Sequence, residues 1–137
     1  MKQDSCKIYY QSWQLQCCGK PFKVGDRVRW SCALPDDGRR ICGHIIDFIE
    51  EHHSDETHTI VGTIVDIWAV TQADTPEKRC YELDDSKVSL TNLLAADGYE
   101  SEKEATTETY YIFWGYIVTM KDVEVTDYDE HLKYDYD

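Results

Sequence analysis

Positive charge is scarce in this chain: 14 lysines and arginines face 27 aspartates and glutamates, for a net charge of −13. A field of that sign repels phosphate backbones and argues against nucleic-acid binding. Long apolar runs are also missing. The longest, at 64–70 and 110–114, are far too short to cross a bilayer, so no membrane segment is expected. The opening residues, MKQDSCKIYYQSWQ, hold no apolar core of a secretory signal. The expected setting is therefore the cytoplasm, where thiols stay reduced. No C-x-x-C occurs, which removes the usual zinc clip, and the seven glycines are scattered singly, which removes a glycine-rich phosphate loop. Methionine is down to two residues, whereas tyrosine reaches 10 and tryptophan 4, a β-leaning balance.

What is present suits one folded domain of 137 residues, long enough to bury a core without staples. Its charge is unevenly distributed. Residues 1–53 carry 8 basic against 7 acidic side chains, and residues 54–137 carry 6 against 20. An acidic half of this kind fits a basic protein partner, as an inhibitor-type or masking protein would require.

Along the chain, residues 7–16 (KIYYQSWQLQ) alternate loosely, with Tyr9, Trp13 and Leu15 on one face, and predict a strand. Gly19 and Pro21 then impose a corner. Residues 22–33 predict a second strand entered through the turn Val24-Gly25-Asp26. In residues 39–53 the apolar period changes to three to four, with Ile41, Ile45, Phe48 and Ile49 in one stripe, and predicts the one long helix. Residues 57–71 are β-branched almost throughout and predict a central strand buried on both faces, with Gly62 at a bulge or close approach. Residues 80–83 predict a short strand, residues 86–96 a short helix, and residues 98–107 a polar loop. Residues 108–120 predict the last strand, bent at Gly115, with a continuation to Val125. The acidic tail 126–137 has too few apolar groups to anchor it. The expected fold is mainly β: a small, partly open antiparallel barrel of about five strands with one inserted helix. "FKVGDRVRW" followed by "IVGTIVDIW" is similar to the strand and turn signature of SH3-like barrels.

Two constellations carry chemistry. Cys17 and Cys18 in a strand would point to opposite faces, but in a turn they converge, and with His52 and His53 they make a candidate zinc site. A disulfide between neighbours is disfavoured, since it closes a strained eight-membered ring. Cys32, Cys42 and Cys80 lie in apolar runs and read as small buried hydrophobes. A thiolate beside His52 would also serve a small thiol-dependent enzyme. The second constellation is "EEHH" at 50–53, at the end of the expected helix. Arg27 and Arg29, with Arg39, Arg40, Lys20 and Lys23, compose one basic face. Taken together, W-Q-x-x-C-C-G-x-P-F at 13–22, "VGDRVRW" at 24–30 and "EEHH" resemble an uncharacterised family of small bacterial proteins, a domain of unknown function. The resemblance implies no activity. It draws attention to Trp13, Cys17, Cys18, Gly19, Pro21, Phe22, Gly25, Asp26, His52 and His53 as one shared region. Trp13, Arg27 and Arg29 are the candidate binding residues, and Cys17, Cys18, His52 and His53 the candidate metal ligands.

Overall fold

The computed structural model describes residues 2–35, 40–51, 58–74, 83, 87–100 and 110–126. Two seventeen-residue strands form its spine: β7 (His58–Asp74) and β10 (Tyr110–Thr126), paired antiparallel from Tyr110↔Asp74 to Thr126↔Thr59. Both segments are rich in β-branched and aromatic residues, which suit a pleated surface packed on two sides. β10 also pairs with β1 (Lys2–Gln11), antiparallel from Lys2↔Glu124 to Gln11↔Gly115. On its other edge β1 meets the short β6 (Phe48–Glu50) in parallel register, Ile8↔Phe48 and Tyr9↔Ile49. β6 pairs with β3 (Arg27–Ala33) at Cys32↔Glu50 and Ala33↔Ile49, and β3 returns to β7 over Arg27–Cys32. The pairings β10–β1–β6–β3–β7–β10 therefore close into a ring. β8 (Val88–Leu93) extends the sheet along the upper part of β7, and β2 (Phe22–Lys23) pairs with β9 (Ala95–Ala96).

Period-two alternation decides what enters the ring. Cys6, Ile8 and Tyr10 of β1 point inward, where they meet Ile60 and Ile64 of β7 and Val118 and Met120 of β10. Tyr9 and Ile117 point outward into a second cluster with Val70, Ile41 and Ile46. Ile41 belongs to a small hairpin, β4 (Arg40–Ile41) and β5 (His44–Ile45), and Ile46 follows it directly. β7 and β10 are thus covered on both faces, as their apolar composition requires.

Three expectations are corrected here. The long helix at 39–53 does not form over its described residues. Cys42 and Gly43 have positive φ (48° and 81°), which suits the two-residue turn of the β4–β5 hairpin. The apolar residues spaced like a helix stripe go to different surroundings: Ile41 to the outer cluster, Phe48 to the interior, and Ile45 to solvent. The first strand stops at Gln11, and residues 12–17 form the helix α1 (Ser12–Cys17). Trp13 and Leu15 imitate alternation, yet Leu15 and Gln14 are buried while Trp13 is 49% exposed. The expected short helix at 86–96 is β8 and β9, because Val88 and Leu90 pack on the outer cluster and Leu93 on the inner one. All but Leu83 of the expected short strand at 80–83, most of the loop at 98–107 and the tail beyond Thr126 lie outside the described residues.

Gly115 is where β10 bends. Its φ is +152°, the register of β10 against β7 shifts between Phe113 and Gly115, and a Cβ there would collide with the Tyr10 backbone carbonyl. Gly62 is a close approach of another kind, since its Cβ would meet the Met120 sulfur at 2.9 Å. Gly115→Ala is expected to cost about 3 kcal/mol of unfolding free energy in urea titration, because the obstacle is backbone. Gly62→Ala should cost clearly less, since the methionine side chain can shift; equal costs would contradict the close approach at Gly115.

Candidate functional site

The turn after α1 positions the site. The Gln14 carbonyl accepts the amides of Cys18 and Gly19 at 3.0 and 3.1 Å, which ends the helix. Gly19 then passes so close to the Tyr10 hydroxyl and Leu15 that no Cβ fits. Beyond Lys20 and Pro21, Phe22 drops into the interior. Its ring centroid lies 5.4 Å from Tyr10, 5.0 Å from Trp30 and 5.6 Å from Tyr116, mostly edge-on.

Pro21 and Phe22 line two clefts. The first, of about 380 Å³, has Phe22, Ala95 and Ala96 below and Lys23, Asp26, Asp97 and Glu100 around it. Its acidic side is held by local hydrogen bonds. The Lys23 amide donates to Asp26 Oδ2 at 3.0 Å, and the Tyr99 amide to Asp97 Oδ1 at 2.9 Å. The Asp97 amide donates to Glu100 Oε1 at 3.2 Å, and the Tyr116 hydroxyl donates to Glu100 Oε2. Gln16 of α1 donates to the Gly98 carbonyl at 2.6 Å, tying this loop to the corner. The second cleft, of about 440 Å³, lies between the corner Gly19–Phe22 and residues Val28–Ser31 of β3, with Tyr10 at its base. Lys20 and Arg29 stand exposed at its mouth.

The residues expected from sequence are only partly brought together. Arg29 lines the second cleft, but Arg27 does not. The Arg27 guanidinium donates to Thr63 Oγ1 at 3.1 Å and twice to the Asp122 carbonyl at 3.3 Å. Trp13 is exposed on α1 and lines neither cleft. Cys17 and Cys18 are joined to each other in a disulfide, against the expectation for neighbours, and both are exposed. They sit at the C-terminal end of a helix, where successive side chains do not alternate across two faces as they would in a strand. His52 and His53 lie outside the described residues. Among the described residues no group of three or more His, Cys, Asp or Glu side chains is placed to hold a metal ion. Sequence reading missed Asp97 and Glu100; the clue was the Asp97-Gly98 pair, an ordinary turn signal.

The sequence model of a family of unknown function, DUF6578, matches residues 4–122. The chain belongs to DUF6578. No curated protein and no solved structure matches it. The match runs from β1 into β10, so both clefts, the corner and most of the ring fall within the DUF6578 region.

Under the second cleft this DUF6578 chain buries a carboxyl group. Glu50 is wholly buried, stands opposite Cys32 in the β3–β6 register, and interacts with the Tyr10 side chain. Burial pushes its carboxyl up to about 8, the Tyr10 side chain works in the other direction, and the Glu51 charge adds to the rise. Gln14, also wholly buried, donates to Glu51 Oε1 at 3.1 Å and links α1 to this end of the ring. Burial likewise pushes the Cys6 thiol up to about 12, with help from the Asp47 charge. The Cys32 thiol goes well above its ordinary range, through burial first and then the Glu50 charge.

A carboxyl whose folded pKa is raised binds its proton more tightly in the native state. Its contribution to stability is complete below the unfolded value near 4.5 and is lost as pH rises through about 8. Urea unfolding between pH 5 and 8.5 should therefore show a declining stability in the parent protein. Glu50→Gln should flatten that decline, with a difference on the order of 3 kcal/mol at the alkaline end. An unchanged slope would show that Glu50 is not the group responsible.

Proposed function

We propose that this protein is a non-enzymatic binding module that engages a basic segment of a protein partner through its acidic surface. The cleft bounded by Asp26, Asp97 and Glu100 is the observation that carries this reading. Apolar groups lie at its base and carboxylates at its edge, the arrangement a lysine or arginine side chain fills with its methylene stem and its charged head. Asp26 and Asp97 each use one oxygen on a neighbouring amide, which fixes their orientation toward a partner at no cost on binding. The same reading takes the ring as a small SH3-like barrel in a cytoplasmic, bacterial protein. Support for the barrel comes from the Gly25–Asp26 turn that leads into β3 and from the pairing of β3 with β7.

Burial raises the thiols of Cys6 and Cys32, which makes these two cysteines poor nucleophiles, and a thiol-dependent enzyme using Cys17 or Cys18 would first need their disulfide opened. A zinc site at Cys17, Cys18, His52 and His53 would require the disulfide to open first, because the thiolate is the metal ligand.

The test is a randomised peptide library panned against the purified chain. Peptides carrying lysine or arginine should be enriched, and their affinity should fall by about tenfold between low and high salt. Asp26→Asn combined with Asp97→Asn should remove most of that salt dependence. No enrichment of basic residues, or the same enrichment by the double variant, would overturn the reading.

A further inference from the structure

We infer that Cys17 and Cys18 form a reversible thiol–disulfide site, whose opening by a small thiol loosens the end of α1 and the Asp97–Glu100 loop packed against it. The inference uses no ligand, so it holds or fails apart from the binding of basic peptides. It begins with exposure. Cys17 and Cys18 are bonded to each other and both stand exposed, whereas Cys6 and Cys32 are buried. A thiolate from solvent can attack an exposed disulfide, and a buried one resists. Gln16, Lys20 and Pro21 are exposed as well, and the segment is pinned at each end by a buried side chain, Leu15 before it and Phe22 after it. The chain between these two anchors can rearrange while the ring stays closed.

The disulfide closes one end of a short helix. α1 has six residues, too few to hold its shape by backbone hydrogen bonds alone. Its first turn is tied to β10, where Ser12 Oγ donates to the Phe113 carbonyl at 3.1 Å. At its last turn the amides of Cys18 and Gly19 share the single Gln14 carbonyl, and the bond between Cys17 and Cys18 fixes the peptide that joins them. This same turn holds the acidic loop. Gln16 Nε2 donates to the Gly98 carbonyl at 2.6 Å, and a Cβ on Gly98 would lie 3.3 Å from Gln16 Cγ and 3.4 Å from Leu15 Cγ. Gly98 stands between Asp97 and Glu100, which line the first cleft. Opening proceeds by exchange. A thiolate attacks one sulfur, the Cys17–Cys18 bond breaks, a mixed disulfide forms, and the other sulfur leaves as a thiolate that takes up a proton. A second thiol then displaces the first, so two thiols are oxidised to their disulfide while the pair gains two electrons and two protons. Without the covalent closure the last turn of α1 frays, and the hold of Gln16 on Gly98 weakens with it.

The experiment treats the isotope-labelled full chain first with oxidised glutathione and then with glutathione. Iodoacetamide followed by peptide mapping should find no label on Cys17 and Cys18 in the oxidised sample and a label on each in the reduced one. Amide exchange at Cys18 and Gly19 should quicken by at least about tenfold on reduction. The Gly98 and Tyr99 resonances should shift with them, while those of Ile67 and Val118 in the ring stay in place. Cys17→Ser with Cys18→Ser should carry the reduced spectrum and ignore glutathione. Gln16→Ala should keep the change at Cys18 and Gly19 and lose most of it at Gly98 and Tyr99. The exchange site is overturned if the oxidised pair takes label or carries glutathione in place of its internal bond. It is also overturned if only a strong dithiol reduces the pair, or if the double variant responds to glutathione as the parent does. The link to the acidic loop is overturned if reduction leaves Gly98 and Tyr99 unmoved, or moves them equally in Gln16→Ala.

Discussion

The fold depends on the long antiparallel pairing of β7 with β10. Each of these strands is covered on both faces and paired along both edges for much of its length, β7 by β10, β3 and β8, and β10 by β7 and β1. A seventeen-residue pair of this kind would ordinarily twist as an open ribbon. Register shifts at Gly115, Thr119 and Asp122 give the curvature that brings β1 across to β6 and β3. Without that curvature the ring would not close, and neither cleft would exist.

The site is built where the ring is least complete. Among the described residues β6 pairs with β3 only at Cys32 and Ala33, and the corner after α1 faces Val28–Ser31 across the second cleft. Phe22 therefore serves two surfaces: it packs the interior end of the ring, and it underlies both clefts. Lys20 and Arg29 stand on one side of it, and the three carboxylates of Asp26, Asp97 and Glu100, with Lys23, on the other. The second cleft thus gives a net acidic protein a local region of basic side chains. The buried Glu50 and Gln14 hold α1 and β6 beneath this region, through Tyr10 and Glu51.

Much of the fold was legible from residue patterns. The strands at 22–33, 57–71 and 108–120 have strong β composition and correspond to β2 with β3, β7 and β10. The misreadings have a common physical cause. In SWQLQC, RICGHIIDFIE and VSLTNLLAA the segments are short, and their apolar spacing is compatible with either period. In the first, Gln14 is buried because Glu51 accepts its amide, and no periodicity of hydrophobic residues could reveal that. In the second, two consecutive residues with positive φ make the turn, although cysteine is an unusual occupant of such a position.

By itself the sequence determined the β-rich class, the acidic balance, the need to cover both faces of β7 and β10, and the corner at Gly19 and Pro21. These follow from local composition and backbone preference, which operate without knowledge of the rest of the chain. Tertiary structure alone decided that β6 would run parallel to β1, that Arg29 would line a cleft while Arg27 would bond to Thr63 and Asp122, and that Asp97 and Asp26 would line one cleft with Phe22. Each of these joins residues far apart in the chain. Their proximity is set by ring closure, a property of all the strands together and of no one segment.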